Sequence, residues 1–361
     1  MSQLNMSHSR LPLSRAPEKI CILRLSALGD VSHTIPVVRA LQKKWPSAEI
    51  TWVCGKFEYK FLQLLEGIRF VVFDKKAGLK EYFRLWKALK GERFDVLLQM
   101  QVAARANIAS LGIKSEIRLG WDKARCRDLH QLFINHQVAA VYQQHQVEGF
   151  LSFAEALGAS ASDVEWQLPL TENALAFAEQ YIDATKPTMV ISACSSHRLR
   201  NWQAERYAAL ADYAIEQYGL QVILSGGPSD IEREMAQDIV SHMKNDALNL
   251  VAKDTLEQLL GLLSKATVVV SPDSGPAHLA NALGVPVMGL YACTWSRRSG
   301  PYSSLNYCVD EFEQAARVFL KTTADQLPWG SKIEKPGVME LIQLEDVKRK
   351  LDQLLNDQRK N

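Results

Sequence analysis

Eight consecutive residues, Ser271-Pro272-Asp273-Ser274-Gly275-Pro276-Ala277-His278, follow the apolar run Ala266-Thr267-Val268-Val269-Val270. A β-branched run ending in Asp-Ser-Gly predicts a buried strand that turns sharply into a helix. Asp273 and Ser274 are placed to cap that helix, and Gly275 lets a ligand come close to the backbone. The N–H groups of a helix start attract phosphate oxygens. The segment is therefore a candidate diphosphate cradle, with His278 one turn in. The plainer alternative is an ordinary strand-to-helix turn with a structural histidine. Other phosphate-type residues follow predicted strands nearby: Ser195 and Ser196 with Arg198 and Arg200, then Gly226-Gly227 with Glu232 beyond. Features that all follow strands gather on one rim of a parallel sheet.

A second strand-to-helix junction lies near the other end. The apolar run 19–25 leads through Ser26-Ala27-Leu28-Gly29-Asp30 into the helical pattern 35–45. Gly29 offers backbone freedom. Asp30 stands at a helix start, either as a first-turn acid complementing the helix dipole or as a catalytic carboxylate.

These residues need elements to hold them. Strands are predicted at 19–25, 50–54, 69–73 and 95–100, alternating with helices at 32–45, 57–65, 79–89 and 103–111, and 137–159 reads as helix. After an edge-like connector at 165–169 and a helix at 172–181, the alternation restarts. Strands fall at 188–193, 221–224, near Asn249, at 267–270 and at 286–291. Helices fall at 204–218, 230–244, 255–263 and 344–355. Alternation of this kind predicts α/β architecture, with parallel sheets covered by helices. The expected arrangement is two Rossmann-like, doubly wound domains facing a cleft. The expected divisions are a mobile polar lead-in over 1–17, an N-terminal domain over 18–170, a C-terminal domain over 171–340 and a terminal helix over 341–361.

The chain has 361 residues, 47% of them apolar and 23% charged, as expected of a globular protein with two domains. Its 42 Lys and Arg nearly balance 40 Asp and Glu, but residues 75–127 hold 13 basic and 5 acidic residues. That local excess of +8, against −6 elsewhere, points to an anionic partner. Lys80, Arg84, Gln101, Arg105, Arg125 and Arg127 are its candidate contacts. The six cysteines are scattered without a C-x-x-C pair, which fits a reducing cytosol and argues against a zinc site. No apolar run approaches the ~18 residues of a membrane span. Neither G-x-G-x-x-G nor G-x-x-x-x-G-K-[ST] occurs at a strand end, which disfavours dinucleotide oxidoreductases and P-loop ATPases. A nucleotide held by backbone amides, hydroxyls and arginine fits a sugar nucleotide.

Ser26-x-x-Gly29-Asp30-x-x-His33-Thr34-x-Pro36 resembles the signature of the lipopolysaccharide heptosyltransferases, the family 9 glycosyltransferases. So do Asn201-Trp202 and the turn Asp273-Ser274-Gly275-x-x-His278-Leu279-Ala280-x-Ala282-Leu283-Gly284-x-Pro286. His145-Gln146-Val147-Glu148 is similar to an H-x-V-E stretch of the heptosyltransferase I branch, which the chain resembles most. The resemblance runs from about Lys19 to the last helix. It implies a GT-B architecture, inversion at the anomeric carbon, ADP-heptose as donor and a Kdo-containing lipid A core as acceptor. It also implies no metal and no further cofactor.

By resemblance Asp30 is the base. Asp273, Ser274, Gly275 and His278 form the diphosphate turn. Arg200 stands where a basic residue, often Lys, meets the diphosphate. Ser195 and Ser196 are donor-binding hydroxyls, and Glu232 is a ribose contact or a plain surface-helix acid. One of Arg125 and Arg127 matches a family arginine. The implied location is cytoplasmic, peripheral on the inner face of the inner membrane without insertion, and no nucleic acid is expected as partner. The competing readings are another family 9 transferase adding a later heptose or other sugar, a non-catalytic sugar-nucleotide-binding module, and hydrolysis or epimerisation of a sugar nucleotide.

Overall fold

Short apolar runs, each ending in a polar or glycine-bearing turn and followed by a helical pattern, favour parallel strands joined by crossover helices. A computed structural model bears this out over the residues it describes, 11–360. The chain divides between Trp166 and Gln167.

The first unit contains β1 (Lys19–Leu23), α1 (Leu28–Lys44), β2 (Glu49–Gly55), α2 (Lys56–Leu62), β3 (Ile68–Phe73), α3 (Leu79–Ala88), β4 (Phe94–Gln99), α4 (Ala104–Ser110), β5 (Ser115–Gly120), β6 (His136–Gln137) and α5 (Gln146–Leu157). Its six strands are all parallel, in the order β3-β2-β1-β4-β5-β6. The order reverses between β1 and β4, so loops leaving the carboxyl ends of these two strands border a natural ligand crevice. Leu85, Leu89, Ala106 and Ala109, from α3 and α4 and their ends, cover one sheet face over Cys21, Leu23, Val53 and Leu97.

Several sequence expectations change here. The helix expected over 137–159 is confined to Gln146–Leu157, because His136–Gln137 pairs as a strand with Leu119–Gly120. The strand Ser115–Gly120 had no counterpart in the sequence reading. Helix α1 begins at Leu28, so Gly29 and Asp30 lie inside its first turn. Pro36 sits within α1, where its missing N–H leaves the Ser32 carbonyl without its helical donor. The Trp166 indole N–H donates to that carbonyl at 3.1 Å. Residues 1–10 of the expected lead-in lie outside the described residues. Within the rest of it, the Leu13 N–H donates to Leu157 O at 3.1 Å.

The second unit contains α6 (Glu172–Tyr181), β7 (Thr188–Ile191), α7 (Ala204–Tyr218), β8 (Gln221–Leu224), α8 (Asp230–His242), β9 (Leu248–Asn249), α9 (Leu256–Ser264), β10 (Val268–Pro272), α10 (Gly275–Ala282), β11 (Val287–Tyr291), α11 (Ser296–Ser299), β12 (Val309–Asp310), α12 (Phe312–Ala315) and α13 (Leu344–Lys360). Its sheet is also all parallel, in the order β12-β11-β10-β7-β8-β9. Here the reversal lies between β7 and β10. Gly219 closes α7 in the left-handed conformation that an L side chain resists. The terminal helix α13 belongs to this unit: Val347, Leu351 and Leu354 are buried in its core, and Asp352 accepts from the Tyr213 and Tyr218 hydroxyls at 2.9 and 2.7 Å.

Candidate active site

In the second unit the loops leaving β7 and β10 carry most of the donor-site candidates. Ser274 occupies the N-cap position of α10, but its side chain makes no capping bond. Its hydroxyl instead pairs with Ser271 Oγ at 2.7 Å, and Ser271 Oγ lies 2.9 Å from Ser192 O. Asp273 does not cap either. Its carboxylate faces His278 Nε2 at 3.6 Å and Arg200 Nη1 at 3.7 Å. Burial pushes the Asp273 carboxyl up, but His278, Arg200 and Thr294 together outweigh that and hold it below the usual carboxylate range. Neither side chain is spent on capping the first turn of α10, in which Pro276 carries no N–H. Gly275 opens the helix.

Arg200 is held from two sides. Besides Asp273, it donates to Glu334 Oε1 from Nε at 2.8 Å and from Nη2 at 2.5 Å. Burial pushes Glu334 up, and Arg200 and nearby cations bring it below its ordinary value. Lys332 joins the same group. Burial, and then repulsion from Arg200, push its ammonium down. Glu334, Lys332 and Thr294 had no part in the sequence reading.

Ser195 and Ser196 follow β7. The Ser195 N–H donates to Asn201 Oδ1 at 2.8 Å and its hydroxyl accepts from the His197 N–H at 3.3 Å, so Asn201 fixes the loop that ends at Arg200. Trp202 is a fully buried core residue whose indole donates to Ile342 O at 3.0 Å. Ser196 is exposed on the same loop. Glu232 is more than a surface-helix acid. It accepts from the Gly227 N–H at 2.7 Å and from the Ser229 hydroxyl at 2.6 Å, shaping the Gly226-Gly227 turn after β8. A Cβ on Gly227 would stand 3.0 Å from Glu232 Oε2. Asp254 lies beside it, accepting from Ser225 Oγ at 3.4 Å. Burial, reinforced by the charge of Glu232, pushes its carboxyl up to about 6.

In the first unit Asp30 sits in the first turn of α1, and its Oδ2 accepts from the Ala27 N–H at 3.4 Å. It forms an ion pair with Arg24, which stands between β1 and that helix and was not singled out from sequence. The Arg24 guanidinium is buried, donates to Met100 O at 2.7 Å after β4, and lies 5.1 Å over the Phe150 ring. Burial pushes it down from its ordinary value. Asp30 opposes that shift, and the charge of Arg127 adds to it. Gln101 also serves this junction: its Oε1 accepts from the Leu25 N–H at 2.8 Å. The His145-Gln146-Val147-Glu148 stretch is a capping box on α5. His145 Nδ1 accepts from the Val147 N–H at 3.1 Å, and Glu148 accepts from the His145 N–H at 3.2 Å.

The acceptor candidates do not form one cluster. Arg125 is committed to an ion pair with Asp122, to Gln144 and Ala139 O, and to the Trp121 ring at 4.6 Å. Arg127 is exposed, and its charge reaches Arg24. Arg105 is exposed on α4. Lys80 and Arg84 lie on α3, which follows β3, two strands and about 10 Å of sheet from β1. Arg84 is paired with Glu81 and Val72 O. Among the described residues no group of three or more His, Cys, Asp or Glu is arranged to hold a metal ion.

Two parallel six-stranded sheets, each with its charged and glycine-bearing loops at the strand-order reversal, are the architecture of GT-B glycosyltransferases. The model of glycosyltransferase family 9 (heptosyltransferase) matches residues 82–327, and the chain belongs to this family. It is 39% identical over 338 residues to the lipopolysaccharide core heptosyltransferase OpsX of Haemophilus influenzae, covering 93% of this chain and 97% of that protein. It is 25% identical to lipopolysaccharide heptosyltransferase 1 of Escherichia coli over 76% of this chain and 88% of that protein. Two solved structures share its fold. The family 9 glycosyl transferase from Veillonella parvula matches with a TM-score of 0.77 at 21% identity, over 94% of this chain and 97% of that one. Escherichia coli heptosyltransferase WaaC with ADP matches at 0.71 and 20%, over 93% and 99%.

Proposed function

We propose that this heptosyltransferase of lipopolysaccharide core synthesis moves a heptose from ADP-heptose to the Kdo-lipid A inner core, inverting the anomeric carbon. The observation that carries the donor half is the β10–α10 turn. Its helix start is uncapped by side chains, and His278 and Arg200 flank Asp273 beside it. In the proposed reaction an acceptor hydroxyl attacks the anomeric carbon opposite the diphosphate, and the bond to the diphosphate oxygen breaks. Asp30 takes the hydroxyl proton as a single general base. ADP departs, its developing charge met by the α10 amides, Arg200 and His278. Asp273 orients those two side chains, and Arg200 leaves Glu334 to reach the diphosphate. Glu232 shapes the turn beside the ribose. A divalent ion has no role in this scheme.

On the acceptor side we assign Gln101 and Arg105, which follow β4 at the β1–β4 reversal, and Arg127, whose charge reaches the Arg24 partner of Asp30, in preference to Arg125, whose bonds are already made. The enzyme works at the inner face of the inner membrane, drawn there by the basic 75–127 region. The test is a transfer assay with ADP-heptose and Kdo-lipid A, with and without EDTA. The expected result is metal-independent heptosyl transfer. Transfer only to a longer core would move the reading to a later heptose, and abolition by EDTA with rescue by a divalent ion would overturn the mechanism.

A further inference from the structure

Among the described residues, nine of the eleven large apolar side chains left exposed belong to the first unit. Six of them fall on three neighbouring elements. Leu79 and Phe83 lie one turn apart on α3, Ile108 and Leu111 on α4 and at its end, and Leu129 and Leu132 at the short 3-10 turn His130–Phe133. Leu79 is 78% exposed, Phe83 66% and Leu111 61%. Spacings of three and four put the α3 pair and the α4 pair each on one side of its helix.

The three elements are fixed to one another. The Trp86 indole donates to Ala109 O at 3.0 Å and so ties α3 to α4. A Cβ on Gly112 would lie 2.0 Å from the Trp86 ring, so this contact is close. Asn107 Nδ2 on α4 donates to Asp128 O at 2.9 Å, and His130 Nδ1 lies 2.8 Å from Asn107 Oδ1. The apolar side chains thus stand on a rigid support rather than on loose loops.

Beside the 130–133 turn the exposed charges are Arg127 and Asp128, the latter accepting from the Ala104 N–H at 3.0 Å, but on the two helices they are of one sign. On α3 and α4 these are Lys80, Arg84, Lys87 and Arg105, with Lys90 just beyond α3. The one acid of α3, Glu81, is buried and bonded to Arg84 and to the Asp74 N–H. No helix among the described residues is long and apolar enough to cross a membrane. Exposed leucines and phenylalanine on two helices whose exposed charges are all cationic match the boundary of an anionic bilayer, with phosphates outside and acyl chains beneath.

We propose that the face formed by α3, α4 and the 130–133 turn docks on an anionic lipid bilayer. Leu79, Phe83, Ile108 and Leu111 enter the headgroup–acyl boundary, and Lys80, Lys87 and Lys90 meet lipid phosphates. This goes beyond a purely electrostatic contact. It rests on the proposed lipid-linked acceptor only in choosing a bilayer as the occupant. Charge gives long-range attraction that salt weakens, and the apolar side chains supply a short-range, salt-resistant hold.

The test is co-sedimentation of the full chain with phosphatidylglycerol-rich and with phosphatidylcholine vesicles, at low and high salt, with neither donor nor acceptor present. The variants are Leu79→Gln/Phe83→Gln and Lys87→Gln/Lys90→Gln, all at exposed positions, with folding checked by circular dichroism and thermal melting. The wild type is expected to bind anionic vesicles strongly and to keep a residual, measurable part of that binding at high salt. Lys87→Gln/Lys90→Gln is expected to lose about fivefold per lysine at low salt. Leu79→Gln/Phe83→Gln is expected to lose roughly tenfold at either salt, removing the residual binding. Equal binding by the apolar variant and the wild type overturns the proposal. So does wild-type dimerisation without lipid that the apolar variant abolishes, which would make the face a contact between copies. Because no sugar chemistry enters the readout, failure here is distinct from failure of the transfer assay.

Discussion

Lowering the pH from 7.5 to 5 is expected to weaken the first unit by an amount that His130 sets. This ring is fully buried between Asn107 and Trp121. Asn107 Oδ1 already accepts from Gln99 Nε2 at 2.7 Å, and Asn107 Nδ2 donates to Val102 O and Asp128 O. That fixes Oδ1 as an acceptor, so His130 Nδ1 carries a proton and donates to it at 2.8 Å. His130 Nε2 then accepts from the Trp121 N–H at 3.4 Å. A second ring proton would point at that N–H with no acceptor and no counter-charge. Burial accordingly pushes the imidazole down from 6.5 to about 4. A histidine held neutral in the fold stabilises it fully above the unfolded value. That contribution is lost as pH falls from about 6.5 towards 4, because the unfolded chain binds the proton first. The linkage gives a loss of about 2 kcal/mol by pH 5 and about 3 kcal/mol by pH 4. The assay is urea unfolding followed through the Trp121 indole NMR signal at pH 7.5 and 5, for the wild type and for His130→Asn. The variant starts less stable, but its loss between the two pH values is expected to be smaller by about 2 kcal/mol. Equal losses in the two proteins would refute the assigned tautomer and its consequence.

Three further outcomes are expected. Asp30→Asn leaves ADP affinity near the wild-type value and lowers turnover on the order of 10²-fold or more, the usual worth of a general base; near-normal turnover sinks that role. Arg200→Ala and His278→Ala each weaken ADP binding by roughly 10- to 100-fold, the range for charge-assisted bonds to a diphosphate, and calorimetry showing unchanged affinity in both rules the site out. Glu334→Gln frees Arg200 from its strongest partner, and ADP affinity is expected to rise a few-fold at low salt; a fall would mean that Glu334 orients Arg200 for the diphosphate rather than competing for it.

Much of the architecture was legible locally. Strands lie at Thr188–Ile191, Gln221–Leu224 and Val268–Pro272, and because parallel strands buried on both faces read as continuous apolar runs, 188–193, 221–224 and 267–270 stood out between helical patterns. Strand Ser115–Gly120 did not, because Glu116 and Arg118 interrupt it. Arg118 is tolerated there only because the carbonyls of Phe133, Ile113 and Ser110 accept from its guanidinium, at distances of 2.7–3.0 Å. The helix expected over 137–159 fails at its start, because His136–Gln137 pairs as a strand with Leu119–Gly120.

The chemistry divides in the same way. The sequence by itself determined that Asp30 and Asp273 would stand at strand-to-helix junctions, because turn chemistry and helix starts are encoded within a few neighbouring residues. It also determined the chemical character of the loops, through their hydroxyls, glycines and arginines. Only the tertiary structure decided what those side chains touch. The capping expected of Ser274 gave way to a hydroxyl pair with Ser271. Arg24 became the partner of Asp30 while anchored on Met100 O, 76 residues away. Arg200 found Glu334 across 134 residues. Such pairs form because a buried or half-buried charge must regain in the fold the hydrogen bonds it gives up in water, from whatever group the packing brings near it. That supply depends on strand order and chain return, which no local run of residues specifies.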